Sequence, residues 1–304
     1  MKKHLSTILL CFFFLAGLSL LLYPTFSNWW NSFRQSRAIA DYDHVVETMD
    51  QEEYDRILNE AKEYNRKLRV KGTMFKLTES EIAEYEKVLD VTGTGIMGTI
   101  EIPKINVEYP IYHDTRESAL AIAIGHIPGT SFPVCDPEDP GTHCVLSGHR
   151  GLPSARLFTD LDKLEEGDIF KVRVLDEYAT YMVEDISIVL PHEVDELTLT
   201  VGKDRCTLVT CTPYGINTHR LLIHGTWVPN EYVSDVRITS DATQVDTMLV
   251  APIAAVPILL VLVILVFVKS GRDRNRVRIY AELKEELADE FILLEQFREE
   301  DEDK

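Results

Sequence analysis

The sequence predicts an all-β region of seven or eight short strands, preceded by short α-helices and set between two membrane-spanning helices. Three observations predict it. Short runs rich in Ile, Val, Tyr and Thr, separated by Pro, Gly and Asp clusters, fill residues 92–232; a Glu-, Lys- and Ala-rich stretch with helical apolar spacing precedes them; and an uncharged apolar run stands near each end of the chain. Strands spaced this way suit a single β-barrel or sandwich, and no strand–helix alternation supports a dinucleotide-binding α/β fold.

Taken in order, residues 1–4 form a short cytoplasmic N-terminus carrying Lys2 and Lys3, and residues 5–23 are an apolar anchor. The anchor has about the ~20 residues a helix needs to cross a bilayer. It exceeds the ~7–15-residue core of a signal peptide, and no small-residue cleavage site follows at Tyr23–Ser27, so it is expected to stay uncleaved. Trp29 and Trp30 follow as an interfacial pair. Residues 24–91 form an extracellular helical segment, with Val46, Met49, Ile57, Leu58, Ala61, Tyr64 and Leu68 at helical spacing. Asp50–Glu53 and Thr78–Glu81 both have capping-box form, which predicts at least two helix starts. The candidate strands are Gly98–Ile102, Val107–Tyr112, Cys144–Ser147, Ile169–Leu175, Tyr178–Leu190, Thr207–Thr210 and Leu221–Val228.

A linker, 233–246, leads to a second transmembrane helix, 247–268, and a cytoplasmic tail, 269–304. Lys269, Arg272, Arg274, Arg276 and Arg278 open the tail, so positive-inside logic puts both termini in the cytoplasm and residues 24–246 outside the plasma membrane. In the tail, Ile279, Leu283, Leu287, Phe291 and Leu294 share one face of a helix.

The chain's formal charge is −19, and the outer segment holds 21 Lys and Arg against 38 Asp and Glu. Such acidity excludes a nucleic-acid-binding surface and disfavours anionic lipid; it suits solubility or the attraction of basic partners. Five cysteines with no CxxC pair provide neither a disulfide scaffold nor a structural zinc site, and no metal or cofactor motif is visible.

The reactive residues concentrate in two places. Cys206–Gly225 reads as a strand, a connection over 212–219 and a second strand, so Cys211 ends one strand and Arg220 begins its neighbour. Leu146–Gly151 places His149 just after an earlier strand, where a loop presents it at the same barrel end. A thiol with a pKa near ~8.5 needs a cation or base to become a nucleophile. His149 suits proton transfer in both directions, and Arg220, which keeps its proton, suits the negative charge of a tetrahedral oxygen.

With these words in place, the sequence resembles a sortase, the membrane-anchored cysteine transpeptidase of Gram-positive bacteria. The resemblance rests on Thr207–Cys211 with Arg220 after it and His149 before it, on Gly148–Ala155 and Leu157–Leu161, and on Ile102–Ile105 and Pro110–His113. Cys211–Arg220, with an anchor at each end, resembles the pilin-polymerising class C branch. The resemblance implies a closed β-barrel of about eight strands and no cofactor. It implies Cys211 as nucleophile, His149 as acid/base and Arg220 as oxyanion or substrate partner, with Thr210 and Thr212 as candidate substrate contacts. It further implies cleavage of an LPXTG-type signal after its Thr, a thioacyl enzyme, and transfer of a pilin subunit to a lysine of the next pilin by an isopeptide bond. The alternative is a housekeeping sortase that attaches proteins to the cell-wall precursor, for which the second span is superfluous.

Class C sortases commonly carry a lid marked by Asp-Pro-aromatic before the barrel; no such tripeptide occurs between residues 41 and 100. Met74 and Phe75, between the predicted helices, stand where a cover is expected, with ordinary packing the simpler role. His224, where the branch often has a second Arg, is read as structural. Cys135 and Cys144 flank an eight-residue segment, and an outer compartment permits a disulfide between them. Cys206 is read as a core thiol on the strand face opposite Cys211.

Overall fold

The computed structural model describes residues 2–72, 74–136, 139–200 and 202–230, and scattered positions from 257 to 287. The linker 233–246 lies outside the described residues, as do most of the second expected span, 247–268, and of the tail. The described positions between 257 and 287 are helical. Residues 1–18 with 244–304, and residues 19–243, form two separate compact units.

Helix α1 runs from Lys2 to Thr48 and passes through Pro24 without ending. Among the described residues it is the one helix long and apolar enough to cross a membrane. It extends well beyond the expected anchor. Residues 24–48 lack a strong apolar period, and their buried positions, Gln35, Ile39 and Tyr42, come at intervals of three and four. Tyr42 is fully buried; its hydroxyl donates to the Met97 carbonyl at 3.2 Å and accepts from the Leu175 amide at 2.8 Å.

Helix α2 (Gln51–Lys71) starts where the capping signal put it: the Asp50 carboxylate accepts from the Glu53 amide at 2.8 Å. Gly72, in the left-handed region, closes its C-terminus. Ile57, Ala61, Tyr64 and Leu68 bury one stripe against the barrel. Helix α3 (Glu79–Tyr85) carries the Thr78/Glu81 capping box in full. Asn65 of α2 staples the loop that follows β3, donating to the carbonyls of Phe132 and Val134 and accepting from the Phe132 amide at 2.8 Å.

Eight strands close the barrel: β1 (Ile96–Ile102), β2 (Val107–Tyr112), β3 (Ile124–His126), β4 (His143–Ser147), β5 (Ile169–Val174), β6 (Glu177–Val189), β7 (Arg205–Thr212) and β8 (His219–Val228). Their order around the wall is β1-β2-β3-β4-β7-β8-β6-β5, with β2–β3 and β4–β7 parallel and the other pairs antiparallel. The one strand not expected is β3, too short to show alternation. A four-residue helix, α4 (Glu117–Leu120), precedes it.

Side chains alternate across the wall. Cys144, Leu146, Cys206, Leu208, Leu221 and Ile223 point into the main core with Ile100, Phe170 and Tyr181. Val145, Val209 and Leu222, the intervening residues, form a second cluster on the outer face, joined by Leu197 from the β6–β7 connection and by Phe75, Ile127 and Val189. Cys206 is thus a core thiol, opposite Cys211. Cys135 and Cys144 are both free thiols, against the bridge expected between them. The inward strand position of Cys144 sets it beside Cys206, its register partner, while the Cys135 sulfur sits 3.4 Å from the Tyr181 hydroxyl.

Candidate active site

Cys211 and Arg220 are direct partners in the β7–β8 ladder, and Thr212 pairs with His219, so the connection is Pro213–Thr218, two residues shorter than expected. Both side chains share the outer face with Val209 and Leu222, two register pairs below them. That pair is about 6.6–6.8 Å along the strand.

The third member arrives by a different route. The β4–β7 register ends at Ser147 opposite Val209, and two further bonds carry the chain on beside β7: the Gly148 amide donates to Val209 O at 3.1 Å, and Thr210 Oγ1 donates to Gly148 O at 2.7 Å. Continuing that register puts His149 level with Cys211. Only glycine fits at 148, because a Cβ there would meet Ile124 Cδ1 at 2.6 Å and Phe158 Cδ2 at 2.7 Å. The loop beyond folds back, with the Phe158 amide donating to the His149 carbonyl at 3.1 Å. Helix α1 grips the same loop: Asn31 Nδ2 donates to Ser154 O at 2.9 Å, and Asn28 Oδ1 accepts from the Arg156 amide at 3.2 Å.

Thr210 and Thr212 both hold this loop. Thr210 is buried with its proton committed to Gly148, and Thr212 Oγ1 accepts from Arg150 Nη1 at 3.2 Å. Arg150 also pairs with Asp162 and lies 6.0 Å from the Tyr214 ring centre. His149 is one-quarter exposed, with Nε2 3.2 Å from Glu117 Oε2, a carboxylate that is four-fifths exposed. Arg220 Nη1 donates to its own neighbours' carbonyls, His219 at 3.0 Å and Asn217 at 3.3 Å.

The structure therefore pairs Cys211 with Arg220 across the β7–β8 ladder and carries the chain of His149 alongside the end of β7. Sequence reasoning missed Glu117, which no spacing links to His149, and Arg150, visible only as a neighbour of the histidine. Phe75 lies on the outer apolar cluster directly beneath the rim, its amide donating to Gly129 O at 3.4 Å. His224 is buried on the same face as Arg220, as expected of a structural residue. Chemically, a partly exposed thiol paired with a guanidinium, with an imidazole on the adjoining loop, suits acyl transfer through a thioester.

Comparison with known proteins agrees with this arrangement. The sortase-domain profile matches residues 100–228. Sortase C1 from Streptococcus agalactiae superposes with a TM-score of 0.62 at 50% identity over 64% of this chain and 99% of that one. Sortase C from Streptococcus pneumoniae does so with a TM-score of 0.57 at 37% identity over 64% and 97%. Among curated relatives, sortase D from Bacillus subtilis is 34% identical over 133 residues, and the match spans 62% of its length. A barrel of this topology, a Cys211–Arg220 pair at the β7 and β8 ends with the His149 loop alongside, and these matches together place the chain in the sortase family of cysteine transpeptidases.

Proposed function

We propose that this chain is a class C sortase that polymerises pilin subunits at the outer face of the plasma membrane. The observation that carries the reading is the Cys211–Arg220 register pair with His149 held level with it, in a chain half identical to a sortase C1. In this reading the Cys211 thiolate attacks the Thr carbonyl of an LPXTG-type signal. Arg220 swings from its backbone carbonyls to stabilise the tetrahedral oxygen, and His149 gives a proton to the departing amine. The thioacyl enzyme is then attacked by a lysine amine of the next pilin, His149 accepts the proton lost by that amine, and the thiolate is released as the isopeptide bond closes.

The N-terminal apolar helix serves as the membrane anchor, and the apolar run 247–268 as a second one, which puts both termini in the cytoplasm. The acidic outer domain favours a cationic acceptor. Thr210 and Thr212 act through the His149 loop. The test offers the full chain a pilin carrying the signal together with a wall-type amine. A pilin ladder, lost in Cys211→Ala, is expected; exclusive transfer to the wall-type amine favours the housekeeping alternative, and retained cleavage in Cys211→Ala rejects the enzyme reading.

A further inference from the structure

Helix α1 meets the His149 loop at its closing end. The loop turns back through Leu157, whose φ of 42° lies in the left-handed region, a conformation that a leucine holds only where its surroundings impose it. Hydrogen bonds on either side impose it. The Arg156 amide donates to Asn28 Oδ1 at 3.2 Å, the Leu157 amide to the Tyr109 hydroxyl at 3.2 Å, and the Phe158 amide to the His149 carbonyl at 3.1 Å. Just before them, the Ser154 carbonyl accepts from Asn31 Nδ2 at 2.9 Å. The path from α1 to the histidine backbone is therefore short: Asn28 holds residue 156, Leu157 makes the turn, and residue 158 is bonded to His149.

The helix that supplies this grip is itself fixed to the barrel. Asn28 and Asn31 share one helical face, and Gln35, buried one turn further along it, donates through Nε2 to the Ile122 carbonyl between α4 and β3. Tyr42 is bonded to Met97 and Leu175, and Asp43 pairs with Arg173 of β5. Trp29 and Trp30, between the two asparagines in sequence, are exposed. The apolar run ends at Tyr23, so at ~1.5 Å per residue the asparagines stand about 8 and 12 Å beyond it along the helix.

We propose that Asn28 and Asn31 are positioning residues for the transfer reaction: through the Leu157 turn they set the backbone of His149, which makes the membrane stem a part of the site as well as its tether. The proposal rests on the acyl-transfer reading above, in which His149 moves the protons and α1 is the anchor. Without the clasp, Leu157 relaxes toward an ordinary φ, the Phe158–His149 bond loosens and the imidazole loses its place. The barrel keeps its own core and stays folded. The two bonds run in opposite senses, because a backbone amide faces Asn28 and a backbone carbonyl faces Asn31. Aspartate therefore tells them apart: at 28 it still accepts, and at 31 it cannot donate and turns a carboxylate on a carbonyl.

The experiment uses the full chain in detergent with an LPXTG-type peptide. The double variant Asn28→Ala/Asn31→Ala lowers kcat about tenfold with KM within about twofold, while its melting temperature falls by about 5 °C or less. Asn28→Asp keeps kcat within about twofold of the parent, and Asn31→Asp lowers it at least as far as Asn31→Ala does. Hydrogen exchange at the Arg156 and Phe158 amides quickens in the double variant and keeps the parent's rate in Asn28→Asp. A parent-like kcat in the double variant overturns the positioning role, as does an Asn28→Asp variant as slow as Asn28→Ala. Parent-like exchange in the double variant overturns the clasp itself. Exchange needs no substrate, so if the parent cleaves no sorting peptide the acyl-transfer reading falls while the clasp is still decided.

Discussion

Replacing Gly148 with alanine probes the joint between β4 and the histidine loop. The added methyl would lie 2.6 Å from Ile124 Cδ1 and 2.7 and 2.9 Å from Phe158 Cδ2 and Cγ. Ordinary carbon contacts are ~3.5–4.0 Å, so about 1 Å must be found. Neither neighbour can swing into solvent, since both are fully buried. Overpacking of this kind costs about 1–3 kcal/mol, and at about 2–4 °C per kcal/mol the melting temperature falls by about 2–12 °C. The backbone of Gly148 is tied to β7 through both its amide and its carbonyl, so a shift large enough to relieve the clash reaches His149. Misplacing a catalytic group by ~1 Å costs on the order of 100-fold in rate. Thermal melting by circular dichroism and chromatographic assay of sorting-peptide cleavage check both figures. A variant with the parent's melting temperature and a kcat/KM within about twofold of the parent would refute the steric reasoning.

Other substitutions separate the site's parts. Glu117→Ala removes a carboxylate that meets His149 from a four-fifths exposed position; exposed pairs contribute ~0–1 kcal/mol, so kcat/KM should stay within about fivefold, as peptide-cleavage kinetics will show. Arg220→Lys keeps the charge and loses the planar fork, with kcat expected to fall on the order of 100-fold and thiol alkylation of Cys211 unchanged. Phe75→Ala uncovers the apolar strip beneath the rim, so Cys211 should react faster with a bulky thiol reagent; an unchanged rate means that Phe75 only packs. Burial holds the His126 imidazole down at about 3, whereas the unfolded chain titrates near ~6.5. The unfolded state therefore binds the extra proton first, and stability is lost progressively as the pH falls from ~6.5 toward 3, which denaturant titrations across that range will measure. Polymerisation that slows as ionic strength rises would give the acidic surface a role in acceptor capture.

Local chemistry was the most legible part of the sequence. Asp50 and Thr78 cap α2 and α3 because a short polar side chain beside orphan amides needs no tertiary context. The strands that gather into the core show in the alternation of residues such as Cys206 and Leu208 with Thr207 and Val209, and the Cys211–Arg220 pairing follows from a hairpin with a short connection. What stayed hidden depends on contacts between distant segments. Residues 24–48 look unremarkable until Tyr42 finds Met97 and Leu175. The three residues of β3 carry no pattern of their own and exist because β2 and β4 flank them. Glu117 reaches His149 across 32 residues of chain. Thr210, adjacent to Cys211, invited a substrate role; the bond from its buried hydroxyl to the Gly148 carbonyl could not be read from the sequence.

The closure of the wall has a consequence for how a peptide is received. Every strand of the barrel has a neighbour on both sides along part of its length, so the ladder left for an extended chain is short: residues 185–189 of β6, beyond the pairing with β5, meet β8 alone. Recruitment by backbone pairing, which would be indifferent to sequence, is thereby confined to that short edge. Elsewhere the wall presents side chains, among them the outer apolar cluster of Val145, Val209 and Leu222. A barrel built this way also offers extended chains little edge on which to aggregate.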